Sequence, residues 1–129
     1  MAKRVLLVDD DADFLEIHKM ILESGGYEVD TAATGQEALE KVRSRSYDLL
    51  IADLIMEELD AGFSLVYAVR EEEKTRNLPI LMLTSAEEKT GFRFQLDKDK
   101  EWMKVDDFAA KPLSPAELLK RAAKLTENR

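Results

Sequence analysis

The sequence predicts an α/β domain built on a doubly wound, five-stranded parallel sheet. Two observations carry this. Short apolar runs of strand length alternate with segments of helical hydrophobic period, five times over. The junctions also carry helix-start and turn residues where that alternation needs them. Parallel strands require crossovers of roughly a dozen residues or more, and this chain supplies them.

The elements follow in order. "RVLLV" (4–8) is an apolar run of β-formers, read as a buried strand. "DADFLEIHKMILES" (11–24) puts Phe14, Ile17 and Ile21 at helical spacing, and Gly25-Gly26 stops it. "YEVDTA" (27–32) alternates as a strand does. Thr34 with Glu37 forms a T-x-x-E capping box, opening a helix through Ala38, Leu39 and Val42. "DLLIAD" (48–53) is a second apolar run ending in aspartate, "GFSLVYAVREEEK" (62–74) is helical, and "PILMLTS" (79–85) is a third apolar run. "DDFAAKP" (106–112) is short and strand-like. Ser114-Pro115-Ala116-Glu117 is a second capping box with proline at the first helical position, starting a last helix through Leu118, Leu119, Ala122 and Leu125. The segment 87–105 occupies the place of a fourth crossover helix, but Gly91 and the alternating Phe92, Phe94 and Leu96 break the helical period. An atypical, shortened or partly extended element is expected there.

With 129 residues and 45% hydrophobic content, the chain reads as a single domain over 1–129 with a real core. The absence of cysteine excludes disulfides and thiolate metal sites, and one histidine excludes a His-rich zinc site. No apolar stretch reaches membrane-spanning length and none reads as a signal peptide, so a cytoplasmic protein without membrane contact is expected. The net charge of −8 disfavours direct nucleic-acid binding and suits a cation or a basic partner surface.

That charge is concentrated where the chemistry should be. "VLLVDDDADF" (5–14) runs a buried strand straight into three aspartates. Like charges this close repel unless a cation offsets them. In open parallel sheets ligands bind beyond the carboxyl ends of the strands. The polar residues that follow the apolar runs should therefore meet on one rim: Asp9 and Asp10, Asp53, Thr84 and Ser85, and Lys111. Mg²⁺, a hard ion that takes a few protein oxygens and often binds phosphate as well, fits such a set. A carboxylate beside Mg²⁺, a lysine and a hydroxyl can also accept a phosphoryl group.

The ordered set "LLVDDD" (6–11), "DLLIADLIMEELDAGF" (48–63), "LMLTSA" (81–86) and "DDFAAKPL" (106–113) resembles the receiver domains of two-component response regulators, over nearly the whole chain. The resemblance implies a flavodoxin-like (βα)5 fold with strand order 2-1-3-4-5. It implies Asp53 as phosphoacceptor. Asp9 and Asp10 become Mg²⁺ ligands, Asp10 the more direct, joined by the backbone carbonyl of Ile55. Lys111 and Thr84 become the groups that contact the phosphoryl oxygens, and Phe108 the aromatic switch that turns inward when Thr84 moves. The implied partners are a histidine kinase or phosphotransfer protein and an unknown downstream protein target. The implied role is that of a signalling module that assists its own phosphorylation, not an enzyme.

Three other readings compete. An EF-hand needs Gly and Glu where this chain has Phe14 and Met20. A haloacid-dehalogenase-like Mg²⁺ phosphatase also uses a strand-end aspartate and a lysine, but needs a hydroxyl residue where Asp13 stands and gives Asp53 no role. A degenerate, docking-only receiver is countered by intact Asp53, Thr84 and Lys111. The chain departs from the family pattern at Met56-Glu57, where Met-Pro is usual, at Asp60-Ala61-Gly62, which is one residue longer, at Ser85, and across 88–105, which should form a non-standard partner surface.

Overall fold

A strand covered on both faces needs apolar residues at every position, because successive side chains point to opposite sides of the sheet. Three strands meet that demand at all but one terminal residue each, and they are the three central ones. The computed structural model describes residues 2–53, 61–84, 105–111 and 113–127, with the side chains of 61–63 and 84 left aside. Its five parallel strands are β1 (Arg4–Val8), β2 (Glu28–Ala32), β3 (Leu49–Asp53), β4 (Ile80–Thr84) and β5 (Asp107–Ala110), in the order β2-β1-β3-β4-β5. The apolar runs form β1, β3 and β4, while the mixed sequences form the edges β2 and β5. Four helices are described: α1 (Ala12–Ser24), α2 (Gly35–Ser44), α3 (Ala61–Glu71) and α4 (Pro115–Thr126).

The alternation divides the core in two. Leu6, Val8, Leu50, Ala52, Ile80 and Met82 face α2 and α3, meeting Ala38, Val42, Leu65, Val66 and Val69. Val5, Leu7, Leu49, Ile51, Leu81 and Leu83 face α1 and α4, meeting Leu22, Leu118 and Ala122. The doubly wound arrangement expected from the sequence is therefore present, with its strand ends gathered on one rim.

Helix starts obey the capping signals. Asp11 caps α1, its carboxylate accepting from the N–H groups of Asp13 (3.0 Å) and Phe14 (3.3 Å). Thr34 accepts from Glu37 N–H (3.0 Å), while the Glu37 carboxylate reaches back to Ala33 N–H (2.9 Å). Ser114 does for α4 what Thr34 does for α2, accepting from Glu117 N–H at 3.1 Å. At the far end of α1, Gly26 adopts φ 95°, a left-handed geometry open to glycine at little cost.

Two expectations need correction. Ile17 is not a core residue: it is 55% exposed, and Met20 63%. The inward stripe of α1 is Phe14, Leu15, His18, Ile21 and Leu22, spaced i, i+1, i+4, i+7 and i+8, and Ile17 lies off it. α3 ends at Glu71 rather than Lys74. The run Glu71-Glu72-Glu73 has no apolar residue to hold a further turn, and side chains tie the helix end to the loop that follows instead. Thr75 donates its hydroxyl to Val69 (2.6 Å), and Arg70 donates to the carbonyls of Arg76 (2.8 Å) and Leu78 (2.7 Å) and to the Asp106 carboxylate (2.9 Å). The atypical segment 87–105 lies outside the described residues except for Val105, which is buried.

A polar triad ties β2 to the loop after α2. The Tyr47 hydroxyl donates to Asp30 Oδ2 (2.7 Å), which also accepts from Arg45 (2.8 Å). Burial opposes the Asp30 charge, but the Tyr47 hydrogen bond and the charges of Arg45 and Lys41 outweigh it and hold the carboxyl below its ordinary pKa. Burial, then the bond to Asp30 and its charge, push the Tyr47 hydroxyl up to about 12. The lowered acid stabilises the fold above its ordinary pKa, and this is lost as pH falls through the folded value. The raised phenol stabilises it below pH 10, and this is lost as pH rises through about 12. Tyr47→Phe is accordingly expected to lower stability by about 1 kcal/mol at neutral pH. In urea unfolding, that difference should shrink in strong acid and in strong alkali. A difference constant across pH would sink the linkage.

Candidate functional site

The rim at the carboxyl ends of the strands holds the polar residues predicted from the sequence. After Val8 the β1–β2 ladder continues for one more bond, from Asp9 N–H to the Ala32 carbonyl (3.1 Å). This draws the Asp9 side chain into the sheet end, where it is 1% exposed. One oxygen accepts from Asp11 N–H at 2.9 Å, which joins the carboxylate to the start of α1. Asp53 is the last residue of β3 and 2% exposed. Asp10 stands beside them, open to solvent.

One oxygen from each of Asp9, Asp10 and Asp53 lies within 4.8 Å of the others. Lys111, the first residue after β5, extends across the rim. Its Nζ donates to Asp9 Oδ2 at 2.7 Å and to Asp53 Oδ2 at 3.1 Å. Burial works against the ammonium, but the hydrogen bond to Asp9 and the charges of Asp53 and Asp9 outweigh it, holding Lys111 above its ordinary pKa. Three carboxylates against one ammonium leave negative charge uncompensated, so the donor set fits a further hard cation. Carboxylate oxygens from a few side chains are what Mg²⁺ takes from a protein, with water completing its shell.

Thr84 ends β4, opposite Ala110 in the register and on the strand beside Asp53. Its side chain lies outside the described residues, as do Ile55, Met56, Glu57, Asp60 and Ser85. Phe108 is buried (2% exposed) and packs with the α2/α3 face of the core.

The sequence reading missed one contact at the site. The ring of Phe14 lies under Lys111, with Nζ 4.2 Å from its centroid, and stacks on His18 with centroids 3.8 Å apart. Phe14 was legible only as a core position of α1. Nothing local in the sequence pairs it with a lysine at the far end of the chain.

The sequence model of the response regulator receiver domain matches residues 5–123. The chain belongs to the response regulator receiver family. It is 34% identical over 118 residues to the alkaline phosphatase synthesis transcriptional regulatory protein PhoP of Bacillus subtilis, covering 92% of this chain and 46% of that protein. It thus spans about half the length of the curated relatives it matches. Among solved structures, the chemotaxis response regulator CheY4 of Vibrio cholerae superposes with a TM-score of 0.81 at 33% identity, covering 97% of this chain and 99% of that one. The receiver domain of sensor histidine kinase PA1611 from Pseudomonas aeruginosa, solved with a magnesium ion coordinated in its active-site cleft, gives 0.83 at 27% identity, covering 98% and 99%. The receiver fold expected from the sequence is thus the observed one, and the family match favours a receiver over the phosphatase reading. Among the described residues, no helix of this receiver is long and apolar enough to cross a membrane.

Proposed function

We propose that Asp53 is the phosphoacceptor of this receiver, and that a histidine kinase or phosphotransfer protein is the donor. The observation that carries the reading is the setting of Asp53. It is a buried carboxylate at a strand end, 3.1 Å from the Lys111 ammonium and grouped with Asp9 and Asp10. In the proposed step an Asp53 oxygen attacks the phosphorus of a phosphohistidine. An O–P bond forms, the P–N bond breaks, and the imidazole leaves with the electron pair and takes up a proton. The Lys111 ammonium follows the charge from the carboxylates to a phosphoryl oxygen, and the Thr84 hydroxyl donates to another. Asp9, Asp10 and Asp53, with the backbone carbonyl of Ile55, are the proposed Mg²⁺ ligands, and the ion supplies positive charge against the phosphoryl oxygens.

Phosphorylation then biases a surface near Thr84, Phe108 and residues 88–113 toward a downstream protein target. The domain is a signalling module and not a turnover enzyme, works in the cytoplasm, and makes no nucleic-acid contact of its own, in keeping with its net charge of −8. Intact mass after incubation with acetyl phosphate and Mg²⁺ tests this. One phosphate adduct is expected on the wild type, absent with EDTA and absent in Asp53→Asn. An adduct that survives Asp53→Asn overturns the assignment, and no adduct from either acetyl phosphate or a kinase leaves a docking-only receiver.

A further inference from the structure

The column formed by Lys111, Phe14 and His18 has no place in the reading above. Lys111 carries its charge on a flexible four-carbon stem, and a compact ammonium is poorly held by hydrogen bonds alone. Two of its donors go to Asp9 and Asp53. The electron-rich face of Phe14 lies 4.2 Å from Nζ on another side of the same ammonium. That ring is itself fixed. It stacks on His18 with an interplanar angle of 17°, and His18 Nδ1 donates to the Phe14 carbonyl at 2.9 Å. The Phe14 backbone N–H is held by the α1 cap, Asp11.

We infer that Phe14 is a positioning residue for phosphoryl transfer, its ring face holding the Lys111 ammonium at the Asp9–Asp53 pair. The inference rests on the phosphoacceptor reading. Packing alone does not account for the arrangement, since a leucine would fill the α1 stripe equally well. Only an aromatic face offers a cation negative potential on a surface that competes little with the carboxylates for hydrogen bonds. His18 supports the ring from behind and touches neither carboxylate in the hydrogen bonds it makes.

Phe14→Leu keeps apolar volume and removes the ring face, while Phe14→Tyr keeps the face. Each is compared with the wild type by the rate of adduct formation with acetyl phosphate at saturating Mg²⁺, by the proton shifts of the Lys111 ε-methylene, and by Tm. In the wild type those protons should lie upfield of other lysines through the ring current, and return to the ordinary position in Phe14→Leu. The rate should fall roughly 3- to 10-fold in Phe14→Leu and recover in Phe14→Tyr. An unchanged rate in Phe14→Leu, an unmoved Lys111 signal, or a tyrosine variant as slow as the leucine variant each overturns the inference while leaving the phosphoacceptor reading standing. A wild type that takes up no phosphate overturns both.

Discussion

Lys111→Ala is expected to slow phosphate uptake by about 100-fold and to make the stability of the fold depend on Mg²⁺. The rate effect follows from removing a preorganised cation aimed at the transferring oxygens. The stability effect follows from burial. Asp9 and Asp53 are 1% and 2% exposed, and both give an oxygen to the same ammonium. Removing one partner from a buried ionic cluster typically costs about 3–5 kcal/mol, because the remaining charge is left uncompensated. The two carboxylates can then be offset by binding a cation in place of the lost one. At a metal concentration near 100 times the dissociation constant, binding restores about 2.7 kcal/mol. Thermal melts in EDTA and in Mg²⁺ should therefore differ far more for Lys111→Ala than for the wild type. Asp53→Asn should behave oppositely in EDTA. It removes a like charge from the rim and should be as stable as the wild type or more so. Equal melts of Lys111→Ala with and without Mg²⁺ would mean that the three aspartates are not a cation site.

The legible parts of this molecule are those with a local or a topological rule behind them. β1, β3 and β4 were readable because a strand covered on both faces must be apolar throughout, and their central positions are the consequence. Asp9, Asp10, Asp53 and Lys111 were readable as one group because all stand at or just past strand ends, and parallel strands end on a common rim. The caps Thr34 and Ser114 were readable from four residues each. The rotation of α1 was not. Its sequence offers two overlapping apolar stripes, and the choice between Ile17 and the Leu15–Leu22 pair is made by the sheet beneath it. The end of α3 was not readable either, since Arg70 and Thr75 close it by reaching carbonyls several residues ahead or behind. The contact of Phe14 with Lys111, like that of Tyr47 with Asp30, joins residues that no periodicity links.

Phe108→Ala is expected to cost about 3–5 kcal/mol of stability while leaving phosphate uptake within a few-fold of the wild type. The ring is 2% exposed, on the face of β5 that meets α2 and α3, and Phe108 pairs with Met82 across the ladder. Truncation leaves a cavity that the packed core around it cannot fill without moving the backbone. For a domain of this size, a loss of that order lowers Tm by roughly 10 °C or more. Asp53 and Lys111 do not depend on the ring for their hydrogen bond, so the acceptor chemistry should persist. The effect on signalling is a separate matter. A switch needs two arrangements whose balance phosphorylation can shift, and the shift is limited by how differently the two arrangements treat the phosphorylated site. Alanine has no ring to place inside or outside, so the two arrangements lose their main difference at β5. Amide shifts of residues 107–110 should then move much less on phosphorylation of Phe108→Ala than of the wild type, at equal adduct by mass. A stability loss below about 1 kcal/mol would show that the ring is not a core group in solution. Unchanged phosphorylation-dependent shifts would show that this receiver transmits its signal without Phe108.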